Sequence, residues 1–309
     1  MMKANKFSFA WLVNCKILLL LVVFALEVST VKAGNEHVFT DTIPIVEHYG
    51  HILMPVTINH ELKHLVFDTG ASGVLIWGDK KPFITKWTEN TVDTKNHTKE
   101  FESGLVLAEF GSRRDSLIAL FKPLPTDSLT RRELLRVGDG LMGFCPLIRM
   151  GLDYFVRVDL QKGIMIVSND HKRAKQAKGI KVRYKKCDEL PTFMVRIGKK
   201  HRTRLPLDSG ASLFCTVPTN VFDELEEKIK DKKVLYNIAE DFAIHDTAVC
   251  KRKVKAYKCD FAIKSFNVKD ALIIDDPFGY GSVGEEIFHK AVISFDPWHR
   301  KIIFQPYKM

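Results

Sequence analysis

Apolar residues occur along this chain in short runs, broken by Gly, Pro, Asn and Asp. Met54-Pro55-Val56-Thr57-Ile58, Leu65-Val66-Phe67, Phe193-Met194-Val195-Arg196-Ile197 and Val292-Ile293-Ser294-Phe295 set the pattern. Runs this short, rich in β-branched and aromatic side chains and bounded by turn formers, predict strands. One stretch has helical spacing instead: from Asn220 to Lys233, Val221, Leu225 and Ile229 share a face. Shorter helices are expected at Glu285 to Lys290 and near Pro146 to Met150. The predicted fold class is mostly β.

The pattern also repeats. Phe193 to Ile197 followed by Leu205-Pro206-Leu207-Asp208-Ser209-Gly210-Ala211-Ser212 echoes Met54 to Ile58 followed by Leu65-Val66-Phe67-Asp68-Thr69-Gly70-Ala71-Ser72. Gly140-Leu141-Met142-Gly143 is matched by Gly281-Ser282-Val283-Gly284, and a strand and turn follow each. Three features recurring in one order at a spacing of about 140 residues indicate a duplication, and two copies are too few for a solenoid. The chain therefore divides into two homologous lobes, 34–168 and 185–309, joined by a basic, polar linker at 169–184.

Residues 1–33 read as an export signal. Lys3, Lys6 and Lys16 precede an apolar core from Ile17 to Leu26, and Val31-Lys32-Ala33 offers small residues for cleavage near Ala33. Ten apolar residues are too few to span a bilayer. The product would be periplasmic or secreted, or membrane-anchored if the signal were retained. Of the formal charge of +10, four Lys and one Glu in this segment account for three, leaving seven. That remainder is scattered. Its densest runs, Lys172 to Lys178 and Lys251 to Lys255, carry no interleaved aromatics to stack bases, so a solvated surface is expected and nucleic acid is not.

The candidate chemistry lies in the repeat. Asp is followed by Ser or Thr seven times, but only Asp68 and Asp208 are then followed by Gly. One such triplet is weak evidence, since turns favour all three residues. Two at the same point of a duplicated unit are strong. A carboxylate pair can hold one water, with the ionised group as base and the protonated one as acid. Gly70 and Gly210 let the backbone pass close to the water and to the other lobe. The hydroxyls of Thr69 and Ser209 can brace the loops by hydrogen bonds to backbone.

These motifs resemble the pepsin and retropepsin superfamily of aspartic proteases, over nearly the whole chain beyond residue 33. In that family Asp-Thr/Ser-Gly follows a strand, and an apolar-apolar-Gly segment packs behind it. Leu141-Met142-Gly143 fills that place in the first lobe and Ser282-Val283-Gly284 fills it less well in the second. The resemblance implies a bilobal, pepsin-like, mostly β fold of two retropepsin-like lobes. It implies a monomeric aspartic endopeptidase, an intramolecular pseudo-dimer acting on polypeptides without cofactor or metal, with Asp68 and Asp208 catalytic. The family's flap would fall at His97 to Ser112, but with Phe101 and Gly104 and no Tyr. Family zymogens carry a basic prosegment, whereas Gly34 to Asp41 holds no Lys or Arg, so no zymogen stage is expected. The competing class is a catalytically inactive protein of the same fold that binds peptides in the cleft.

Two further motifs are expected to be coincidental. His60-Glu61-Leu62-Lys63-His64 spells a zinc-protease signature, but that signature needs a helix, and here strand-like runs lie on both sides. A zinc metalloprotease using His60 and His64 is the least favoured alternative. Gly279-Tyr280-Gly281-Ser282-Val283-Gly284 fits a dinucleotide fingerprint without the βαβ unit it requires. Asn96-His97-Thr98 spells a glycosylation sequon and is assigned no role. Loss of the signal removes Cys15 and leaves five cysteines, an odd number. Cys250 and Cys259 flank Lys251 to Lys255, and if that run is a hairpin they are the expected disulfide.

Overall fold

Strands form along the apolar runs of the computed structural model, which describes residues 38–71, 73–94, 97–143, 154–187, 190–228, 234–241, 250–276 and 281–308. The first half contributes β1 (Thr40–Pro44), β2 (Val46–His48), β3 (His51–Ile58), β4 (Glu61–Asp68), β5 (Val74–Gly78), β6 (Thr85–Thr94), β7 (His97–Phe110), β8 (Arg113–Pro123), α1 (Ser128–Val137), β9 (Gly140–Gly143), β10 (Phe155–Asp159) and β11 (Ile164–Ser168). Between the halves lie α2 (His171–Gln176) and β12 (Ile180–Arg183). The second half adds β13 (Lys185–Cys187), β14 (Leu190–Ile197), β15 (His201–Pro206), β16 (Cys215–Pro218), α3 (Thr219–Lys228), β17 (Val234–Asp241), β18 (Cys250–Ile263), β19 (Phe266–Asp276), β20 (Ser282–Val283), β21 (Ala291–Asp296) and β22 (Lys301–Pro306). The fold is mostly β.

Turn chemistry sets the register. Asn59 and His60, with φ of 48° and 71°, form the two-residue connection of β3 to β4. Positive φ at both central residues suits the twist of a tight hairpin, and Asn is among the residues that reach it most readily. The Asn59 side chain also accepts a hydrogen bond from Leu107 N, 2.7 Å from Oδ1, which ties the turn to β7. His60 therefore sits in a turn and His64 on a strand, so they share no helix face.

Three sheets organise the described residues. One has eight strands in the order β2-β3-β4-β9-β5-β8-β7-β6, all from the first half. Its counterpart follows β13-β14-β18-β19-β16-β20, with β15 on β14 and β17 on β18. In each, two parallel pairings matter: β5 with β8 and β16 with β19, and β4 with β9 and Leu207 with Val283. The third sheet is shared, in the order β1-β11-β10-β21-β22-β12. Its two halves meet at β10 and β21, where Val156 pairs with Phe295 and Val158 with Ile293. The basic segment expected as a linker thus supplies a helix and an edge strand of this sheet.

Residues 39–309 form one compact unit around a continuous apolar core. Phe67, directly before Asp68, is fully buried and meets Phe288 and Phe295 edge-on at 6.3 and 6.2 Å. Rings in this arrangement place a positive edge against a negative face. The second half's aromatic residues thereby back the first half's Asp loop.

Helix α3 occupies the stretch with helical spacing, with Phe222 and Leu225 buried, and 229–233 fall outside the described residues. Glu285–His289 forms a five-residue 3-10 helix at the place where a short helix was expected. The expected helix at 146–150 and the signal segment 1–33 lie outside the described residues. Helix α1 was not expected. Asp127 caps it, accepting from Thr130 N at 2.6 Å and Leu129 N at 3.4 Å. Its apolar positions do not align: Leu134 is buried while Leu129 and Leu135 are about half exposed.

The expected Cys250–Cys259 disulfide is contradicted. Both residues lie on one continuous strand, β18, and Cys259 is a free, buried thiol. Nine residues of strand separate their Cα atoms by about 30 Å at ~3.3 Å per residue, far beyond the ~7 Å that a disulfide tolerates. Lys251 to Lys255 pairs with Tyr236 to Glu240 of β17 by a backbone ladder rather than turning back on itself, and the strand runs on from Ala256 alongside β19.

Candidate active site

Asp68 ends β4, and Asp208 follows β15 at the equivalent point. After each Asp the backbone turns sharply. Ala71 N donates to the Asp68 carbonyl at 3.3 Å, and Ala211 N donates to the Asp208 carbonyl at 3.2 Å. Gly70 N donates to Asp68 Oδ1 at 2.8 Å, and Gly210 N to Asp208 Oδ1 at 3.1 Å. Each loop so fixes one oxygen of its own carboxylate, and the chemistry needs that oriented group.

The two loops are then locked to each other. Thr69 N donates to Ser209 Oγ at 2.9 Å, and Ser209 N donates to Thr69 Oγ1 at 3.0 Å. In return Thr69 Oγ1–H donates to the Leu207 carbonyl at 2.7 Å, and Ser209 Oγ–H to the Phe67 carbonyl at 2.7 Å. Both hydroxyls are fully buried, and each donates once and accepts once. Sequence reasoning expected bracing to backbone; that each hydroxyl braces the opposite loop needed the structure.

Glycine is required where the loops cross. A Cβ on Gly70 would strike the Asp208 carboxyl, and one on Gly210 would lie 2.5 Å from Asp68 Cγ. No rotamer of a larger residue relieves such a contact, because Cβ is fixed by the backbone. Behind the loops, Gly143 N donates to the Gly73 carbonyl at 2.8 Å and Gly284 N to the Phe214 carbonyl at 2.9 Å. Leu141-Met142-Gly143 and Ser282-Val283-Gly284 thus occupy equivalent places behind Asp68 and Asp208, despite Ser standing where Leu does.

Asp68 is buried and Asp208 half-buried. Burial disfavours the charged form and pushes both carboxyls above the usual carboxylate range. The negative charge of Asp208 raises Asp68 further, well above its ordinary value. The hydrogen bond between the side chains raises Asp68 and lowers Asp208, which is how a pair behaves when it shares one proton. Backbone N–H donors from Gly70, Ala71, Gly210 and Ala211 work against burial on both.

Phe101 lies in β7 opposite Asn90 of β6, and Gly104 opposite Lys86. The hairpin that carries them is β6 with β7, so it begins earlier than the expected flap and ends earlier too. Gly104 abuts the Phe83 ring and serves packing. The side chain of Phe101 is outside the described residues. His60 and His64 lie away from any metal-binding cluster among the described residues. From Gly281 the fingerprint-like segment leads into β20 and a short 3-10 helix, with no βαβ unit there among the described residues.

The site combines two enclosed carboxyls in mutual contact, each on a rigid loop and each oriented by backbone amides. Such an arrangement can hold a proton and a negative charge side by side. No family model matches the chain, and no curated protein matches it either.

Proposed function

We propose that the chain is an exported aspartic endopeptidase with the bilobal architecture of the pepsin-like proteases. The observation that carries this reading is the mutual brace: Thr69 and Ser209 hold Asp68 and Asp208 side by side across two equivalent loops. A duplicated turn with no chemical task would not need to bury two carboxyls against each other, where burial and repulsion both act against the fold.

In this reading the pair binds one water between its oxygens. The ionised carboxylate removes a proton as the water attacks the scissile carbonyl, while the protonated partner donates to the carbonyl oxygen. The proton taken up by the base then passes to the departing amine as the C–N bond breaks, the other carboxylate recovers its proton from a hydroxyl of the collapsing diol, and the dyad returns to its starting state with no covalent intermediate. Because one group must be charged and the other protonated, activity follows a bell-shaped pH profile whose limbs belong to the pair. Both limbs move upward relative to free carboxylates, because burial favours the protonated forms.

Unfolded casein, incubated with the purified chain from acid to neutral pH, tests turnover. A statine-type mimic of the tetrahedral intermediate tests the site independently, and it should bind far more tightly than a matched peptide. Cleavage with tight mimic binding supports the endopeptidase. Peptide binding without cleavage or preference for the mimic would instead identify an inactive binding protein.

A further inference from the structure

Glu47 on β2, Glu285 and His289 come together on the far side of the Asp208 loop. His289 Nε2 lies 3.5 Å from Glu47 Oε2 and 3.4 Å from Glu285 Oε1. One donor atom from each residue falls within 4.8 Å of the others. From this geometry we infer a binding site for a divalent transition ion of the zinc class, with Glu47, Glu285 and His289 as its three protein ligands.

Glu285 supplies an independent reason. Its side chain is only 1% exposed, and among the described residues Oε1 faces the imidazole 3.4 Å away but accepts no hydrogen bond of good geometry. A buried carboxylate oxygen with only a long, poorly aligned contact is costly, and an ion is one way to satisfy it. Glu47 and His289 are 41% and 40% exposed, which leaves an entry path and room for a water as fourth ligand. Ligands at ~2.0–2.1 Å around a tetrahedral centre stand about 3.3 Å apart, close to the two spacings seen. An imidazole among the donors disfavours calcium and magnesium, which prefer oxygen alone. The two carboxylates, with Glu286 adding further negative charge nearby, attract the cation.

The location gives the ion a task. Glu285 N donates to the Ala211 carbonyl at 2.7 Å, directly behind Asp208. At the end of the hairpin that begins with β2, Gly50 packs on Ser212, where an added Cβ would lie 2.9 Å from Ser212 Cβ. An ion held by Glu47 and Glu285 would clip the first half's hairpin to the second half's Asp loop. Its role is structural, and it departs from the expectation of a metal-free chain.

The test uses the full chain stripped by chelator and titrated with zinc sulfate alone, read by competition against a chromophoric chelator and by melting temperature. Cobalt(II) gives a second readout through its ligand-field absorption. One equivalent should bind and raise the melting temperature, and excess calcium should not compete. Glu47→Gln and His289→Gln, both at partly exposed positions, should each weaken binding at least about 10-fold, while His299→Gln should not. Absence of binding at millimolar zinc would overturn the site, as would binding that both ligand variants leave unchanged. Peptidase activity enters none of these readouts, so the failure of one reading leaves the other standing.

Discussion

Asp68 leaves a strand that runs parallel to β9 through four pairs, from Leu65↔Gly140 to Asp68↔Gly143, whereas Asp208 reaches its equivalent partner through one bridge, Leu207↔Val283. The second half replaces the missing ladder with single amides: Asp208 N donates to the Val283 carbonyl at 2.9 Å, and Glu285 N to the Ala211 carbonyl at 2.7 Å. Helices differ as well. The first half places α1 between β8 and β9, and the second places α3 directly after β16. The hydrogen bonds that orient the carboxyls are the same in both halves; the scaffold that delivers them is not. Equivalence therefore belongs to the loops, and it can be tested one half against the other.

The largest expected effect removes either carboxylate. Asp68→Asn and Asp208→Asn should each lower turnover by at least about 10³-fold, because neither amide can share the proton. Circular dichroism should show both variants folded. A loss confined to one half would break the equivalence of the two aspartates. Stability should move the other way. A carboxyl whose folded value is raised lends stability below its unfolded value, and that contribution is lost as pH rises through the folded value. The Asn variants should thus melt higher than wild type at neutral pH, with the advantage vanishing in acid.

Next in size is the glycine pair. Gly70→Ala and Gly210→Ala push Cβ into the opposite carboxyl and should cost on the order of 10²-fold in kcat through misplacement alone. Full activity in either would show that the loops can separate.

The brace comes third. Thr69→Val and Ser209→Ala each leave buried backbone groups without partners and should destabilise by about 1–3 kcal/mol in urea titration. Since the two hydroxyls belong to one network, the double variant should cost less than the separate losses added together. Strict additivity would mean the halves do not depend on each other there.

Smallest is a change with no counterpart in the other half. Asp127→Ala removes the α1 cap and should cost about 1 kcal/mol without altering the pH profile. A shifted profile would show that α1 helps set the dyad.

The repeat, the strands and the paired Asp-Thr/Ser-Gly triplets were legible because each is local: a run of apolar residues, a turn, three adjacent letters. Helix α1 was not, because its Leu129, Leu134 and Leu135 do not define one buried face and its start rests on a single cap. The lysine run at 251–255 suggested a turn by its charge, yet a ladder to β17 made it part of a long strand. Nothing local marks Glu47 as a neighbour of Glu285 and His289, since the hairpin meets that turn only after the two halves pair.

The shared six-stranded sheet also bears on the order of folding. Thr40 and Ser168, which hydrogen-bond through their side chains, are 128 residues apart, and Thr69 and Ser209 are 140 apart. Closing such distances is slow, because chain entropy must be given up before the contacts repay it. The two aspartates are thus expected to meet late, after β21 has paired with β10. During synthesis, a nascent chain ending before Ala291 lacks β21 altogether and has no partner strand to bring them together. The topology makes assembly of the dyad wait on emergence of residues 291–296, far along the chain from Asp68.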